Sequence, residues 1–109
     1  MTRASLITRD GGTCVWCGRR LWPADLTAEH LLPRSRRGQT APANLAVACR
    51  PCNKRRRTKP VVAYVRSQRQ DGYEPRIDLL EAALEHLRRS GSPAHAKYAE
   101  RQLALLDRL

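Results

Sequence analysis

Four cysteines stand in two C-x-x-C pairs, Cys14/Cys17 and Cys49/Cys52. That spacing lets one tetrahedral zinc ion close two separate loops through thiolates. Between and just after the pairs lie residues suited to other chemistry: Glu29-His30, then Pro33, then Asn44-Leu45, and Asn53 directly behind Cys52. Hydrolysis of a phosphodiester needs a water made nucleophilic, neutralisation of the phosphate charge, and help for the departing oxygen. A histidine suits the first task, because its neutral form accepts a proton near pH 7. A hard cation such as Mg²⁺ suits the other two and prefers a few oxygen ligands. Glu29 can supply a carboxylate oxygen and Asn53 an amide oxygen.

Each of these residues also has an ordinary use. A lone histidine beside a glutamate is commonly a surface residue, Asn44 suits a turn, and Asn53 suits the start of a helix. The redox use of C-x-x-C needs a strand-then-helix context in a βαβ unit, which neither pair has. The chain start, 1–7, lacks the apolar run of a signal peptide, and no stretch is long enough to span a bilayer. The expected location is therefore a reducing cytoplasm, where paired cysteines bind metal rather than each other.

Charge narrows the partner. Residues 1–60 carry 13 lysines and arginines against Asp10, Asp25 and Glu29, whereas residues 61–109 carry eight against seven acidic side chains. Nearly all of the net charge of +11 thus travels with the cysteines, which points that half at a polyanion. DNA is the expected partner; RNA is equally compatible with phosphate contacts, and no membrane is expected. Arg34, Arg36 and Arg37 sit in the loop 33–42, and Lys54, Arg55, Arg56 and Arg57 run along a short helix. Four consecutive helical side chains fan over roughly 300°, so only about half can face one backbone. Lys54, Arg55 and Arg57 join the three loop arginines as candidate contacts, and the remainder of the run is expected in solvent.

The elements that must hold these groups follow from pattern. Residues 1–12 read as a lead-in ending in the Asp10-Gly11-Gly12 turn. Residues 24–31 and 45–48 read as two short strands of a long-looped hairpin. The second cysteine pair opens a short helix with Pro51 in its first turn, ended by Pro60. Neighbours on a strand point to opposite faces, so Glu29 and His30 reach one site only if the strand ends there, as Pro33 favours. Beyond Pro60, Val61, Val62, Tyr64 and Val65 suggest a helix stopping near Asp71-Gly72. Ile77, Leu80, Leu84 and Leu87 recur at helical spacing until Ser90-Gly91, and Ser92-Pro93 restarts a helix with Ala99, Leu103 and Leu106 as its facing stripe. His86 and His95 are expected in solvent, and Leu105 and Leu109 fall off the stripe, where a dimer contact could use them.

The run Glu29-His30-Leu31-Leu32-Pro33, followed by Asn44-Leu45 and Cys49-Arg50-Pro51-Cys52-Asn53, resembles the HNH endonuclease family in its four-cysteine, zinc-binding, H-N-N form. The resemblance covers about residues 9–59 and is specific in combination. It implies an α+β fold: a small ββα-metal, treble-clef-like, zinc-stabilised domain over 1–59, with a helical appendage ending in a hairpin over 60–109. It further implies His30 as general base, Glu29 and Asn53 as ligands of a catalytic divalent ion, Asn44 as the residue that fixes the loop and so orients His30, and 5′-phosphate and 3′-hydroxyl products. The family's acid is commonly Asp, so Glu29 reaches one methylene further. Two rival readings are a zinc module that binds DNA or RNA without cutting, and a protein that docks a homodimer or a larger phage or host assembly through its C-terminal helices.

Overall fold

The computed structural model describes residues 3–34, 38 and 42–109. At its centre β1 (Leu26–His30) pairs antiparallel with β2 (Leu45–Cys49), Leu26 opposite Cys49 and His30 opposite Leu45. This register has two consequences. The His30 end of the hairpin opens into the long loop, and the Cys49 end runs straight into α2 (Arg50–Arg56), with Pro51 in its first turn. A zinc-type cysteine and His30 therefore lie at opposite ends of a strand about 13 Å long.

β2 is buried along its whole length, which an antiparallel hairpin achieves only if both faces are covered. One cover is α1 (Arg3–Asp10), formed where the sequence suggested a mere lead-in. Leu6 of α1 packs with Leu26, Leu45 and Val47. Asp10 is not a free turn residue either. Its buried carboxylate accepts a hydrogen bond from the Val47 amide at 3.1 Å and pairs with Arg9, whose guanidinium also donates to the Leu45 carbonyl at 2.7 Å.

The other cover is helical: α3 (Val61–Gln70), α4 (Ile77–Ser90) and α5 (Pro93–Leu106). The Ser92 hydroxyl caps α5 by accepting from the His95 amide. Val61, Val62, Leu80, Leu84, Leu87, Ala99 and Leu106 lie in the same buried cluster as Cys14, Val15, Trp16, Leu31, Ala46 and Ala48. One core thus runs through both sides of residue 60. Two expectations change with it. Leu105 packs against this core and is not held out for a dimer, although Leu109 is exposed. His95 is buried, because positions 95, 99, 102 and 106 share the inward face of α5; His86 is exposed as expected. The mixture of one small sheet and segregated helices is α+β. Among the described residues no helix is long and apolar enough to cross a membrane.

Candidate functional site

The four cysteine sulfurs lie within 4.8 Å of one another, and all four residues are buried. Four thiolates placed tetrahedrally at 2.3 Å from zinc would stand about 3.8 Å apart, so the set matches such an ion with little contraction. The surroundings are those of a negative sulfur site. The Trp16 amide donates to Cys14 Sγ at 3.4 Å, and Arg55 and Gln68 both donate to Cys52 Sγ at 3.5 Å. The hydrogen bond from Cys14 draws the Cys52 thiol down to about 5, while Cys14 itself is pushed up. Gly18 closes the first turn at a φ of +75°, and a Cβ there would stand 2.2 Å from the Glu74 carbonyl oxygen, so only glycine fits.

Trp16, inside the first cysteine turn, links this centre to Glu29. Its indole Nε1 donates to Glu29 Oε2 at 2.9 Å, and Arg56 Nη1 donates to Glu29 Oε1 at 3.2 Å. The strand alternation persists to its end, so Glu29 turns away from the face of its neighbour His30. Glu29 was expected to offer oxygens to a cation; the structure gives both of them to Trp16 and Arg56. Burial raises the pKa of its carboxyl, against the pull of Arg56 and Trp16.

Arg56 was expected in solvent, yet it is 0 % exposed. Its Nε donates to the Lys59 carbonyl at 2.7 Å, Nη1 to the His30 carbonyl as well as to Glu29, and Nη2 to the Leu31 carbonyl at 2.5 Å. Its guanidinium carbon lies 5.2 Å from the centre of the Trp16 ring, a cation–π contact. Tyr98 of α5 completes the arrangement by donating to the Leu31 carbonyl at 2.9 Å. Helical phase carried a signal for Arg56: it lies four residues after the buried Cys52 and so shares its inward face.

From the other side Asn44, fully buried, grips the same turn. Its Oδ1 accepts from the Leu32 amide at 2.8 Å, its Nδ2 donates to the Leu32 carbonyl at 3.1 Å, and its own carbonyl accepts from the Leu31 amide at 2.9 Å. Gly38 packs so closely on Leu32 that a Cβ would sit 1.7 Å from the Leu32 carbonyl oxygen. His30, half-buried, is thus followed by a turn held by hydrogen bonds from two directions. Burial lowers its pKa below the ordinary 6.5, and the positive charges of Arg34 and Arg56 lower it further. An imidazole so placed is neutral at pH 7 and able to accept a proton.

The remaining candidates are distributed as follows. Asn53, half-buried on α2, donates through Nδ2 to the Ala28 carbonyl at 3.4 Å, leaving its amide oxygen as the group a cation could use. Arg34, Lys54 and Arg57 are exposed. Arg55 is exposed along its stem, but its head turns to Cys52 and lies 5.9 Å from the Tyr73 ring centre. Arg36 and Arg37 fall outside the described residues.

Comparison with known proteins adds two findings. The model of a family described as HNH endonuclease matches residues 14–67. The Type II-C Cas9 enzyme from Actinomyces naeslundii is similar in fold, with a TM-score of 0.54 at 18% sequence identity. That likeness covers 95% of this chain and 12% of the Cas9 chain, so it takes in helices beyond residue 67. Among curated proteins none matches.

Proposed function

Because the chain belongs to the HNH endonuclease family through residues 14–67, we propose that it hydrolyses phosphodiester bonds of DNA, with His30 as the base that activates water. The observation that carries this reading is the twice-braced turn behind His30. Asn44 and Arg56 fix the backbone of Leu31 and Leu32, so the imidazole leaves the strand in a set direction beside Arg34. Holding a reacting group in place is a large part of catalysis, and a neutral imidazole is the form that takes a proton.

In the proposed step His30 removes a proton from water as the water oxygen bonds to phosphorus. The bond from phosphorus to the 3′ oxygen breaks, and that oxygen is protonated from solvent, leaving 5′-phosphate and 3′-hydroxyl ends. Arg34 meets the phosphate, with Lys54 and Arg57 as further backbone contacts; Arg36 and Arg37 belong to the same proposed contact set. Asn44 acts as a positioning residue.

Two metals enter this reading differently. Zinc fits the four buried thiols, and a closed thiolate site is structural. Free thiols at such a site suit a reducing compartment such as the cytoplasm. A catalytic divalent ion, when bound, supplies charge neutralisation at the phosphate. Asn53 Oδ1 is an available donor for it, whereas each Glu29 oxygen already accepts a hydrogen bond, from Trp16 or from Arg56. That commitment of Glu29 is also what favours the rival reading, a zinc module that binds nucleic acid without cutting. The leucine stripes of α4 and α5 are spent on the shared core, so the docking of a dimer or larger assembly has no place in the proposal.

Supercoiled plasmid incubated with the protein and Mg²⁺ or Mn²⁺ decides between cutting and binding. Nicking that requires the added Mg²⁺ or Mn²⁺ is the expected result; binding without nicking in any divalent metal removes the enzyme reading. The lowered pKa of His30 adds a second expectation. A base must be deprotonated to act, so the acidic limb of the rate profile should fall below pH 6.5. Arg34→Gln removes one of the charges that depress it, and should move that limb upward toward the ordinary value. An unmoved limb would separate Arg34 from the titrating group.

A further inference from the structure

Trp22 is 80 % exposed, an unusual place for the largest apolar side chain. It sits at the Leu26 end of β1, away from His30, on a corner held in place: the Asp25 amide donates to the Trp22 carbonyl at 2.9 Å, and Arg3 of α1 donates to the carbonyls of Pro23 and Leu26. Trp22, Pro23 and Arg20 line an open groove of about 420 Å³ whose other wall is Ile7 with Gly11 and Gly12. A Cβ on Gly11 would meet nothing within 4 Å, so that wall is open backbone. Arg20 in the groove and Arg3 behind the corner are exposed, as is Asp25 on the corner itself, and no acidic residue lies among those lining the groove. A flat aromatic ring beside an exposed guanidinium fits a base on its face and a phosphate at its edge.

We propose that Trp22 and Arg20 form a stacking platform for an unpaired base of single-stranded DNA, at a distance from the cut. Its substrate class rests on the reading of the chain as a nuclease. β1, about 13 Å long, lies between the platform and His30, so the stacked base is not the nucleotide whose phosphate is cut. The wanted partner is an unpaired base because a paired one has both faces occupied by its neighbours.

Tryptophan fluorescence tests this directly, because the chain has two tryptophans and Trp16 is buried. Titration with a twelve-nucleotide oligothymidylate in a zinc-containing buffer without Mg²⁺ or Mn²⁺ is expected to quench the emission. Trp22→Ala is expected to weaken binding about tenfold, with an unchanged melting temperature and an unchanged slope against salt, since stacking displaces no counterions. A duplex of equal length should bind Trp22→Ala and wild type alike. Absence of quenching, or equal oligothymidylate affinity for the two proteins, overturns the platform and points to a protein partner for this corner. Since no Mg²⁺ or Mn²⁺ is present in the titration, the two readings fail separately: plasmid nicking with unaltered Trp22→Ala binding removes the platform alone, and quenching without nicking removes the nuclease alone.

Discussion

Arg56→Ala is expected to lower the unfolding free energy by about 3–5 kcal/mol, the cost of stranding one partner of a buried ion pair. Glu29 would be left buried without its countercharge, with the Trp16 indole and the His30 backbone as donors, and the carbonyls of His30, Leu31 and Lys59 would each lose a hydrogen bond. For a domain of this size, with a total stability of about 5–15 kcal/mol, that is a large share. Arg56→Lys should recover little, since an ammonium cannot span acceptors arranged for a planar fork. The double change Glu29→Leu with Arg56→Met should be milder than Arg56→Ala, because it leaves no unpaired charge. Urea denaturation measures all three. A loss under about 1 kcal/mol for Arg56→Ala would mean that the guanidinium is not committed as described.

The second large effect concerns the thiols. Cys49→Ser is expected to release zinc and unfold the whole chain, with the helices α3, α4 and α5 melting along with the hairpin. Structural zinc is worth about 10–16 kcal/mol in small zinc peptides near neutral pH, comparable to the entire stability of a domain. The buried cluster that contains the cysteines also contains Leu80, Leu84 and Leu87 of α4, so no separate core remains to keep the helices folded. Asn53→Ala, by contrast, should keep both zinc and fold. Zinc content and far-ultraviolet circular dichroism test the pair. Retention of the α4 and α5 helical signal in Cys49→Ser would show two independently stable parts.

Much of the framework is readable from residue types alone. Two C-x-x-C pairs state their own geometry, Pro51 marks the first turn of α2 and Pro60 the start of α3, and the apolar spacing of α4 and α5 marks the hairpin of helices. What escaped was polar burial. Helical phase puts Arg56 on the inward side with Cys52, but its partners are out of local reach: Glu29 and Trp16 lie 27 and 40 positions earlier in the chain. Tyr98 and Gln102 are similar cases, reaching from α5 to the Leu31 carbonyl and the Val62 amide. α1 is not legible in residues 3–10 alone, because it is helical through packing on Leu26, Leu45 and Val47 more than through its own weak pattern. The buried cluster that joins residues from both sides of residue 60 is invisible in the change of charge there, because charge is a property of surfaces.

These corrections also change what surrounds His30. Its turn is held by a residue of the loop, Asn44, and by a buried arginine that the C-terminal helix supports through Tyr98. The helices thus belong to the scaffold of the candidate catalytic turn. An arrangement that spends this much buried polarity on one turn makes a strong claim for the histidine at its head, and that claim can be put to a rate.

The central measurement is the single-turnover nicking rate of His30→Ala on supercoiled plasmid in Mg²⁺, at protein concentrations that saturate the DNA. The expected result is a rate about 10²–10⁴-fold below wild type, with DNA affinity and melting temperature unchanged and part of the rate restored by added imidazole. A His30→Ala protein that nicks at the wild-type rate would contradict the assignment of His30 as the base.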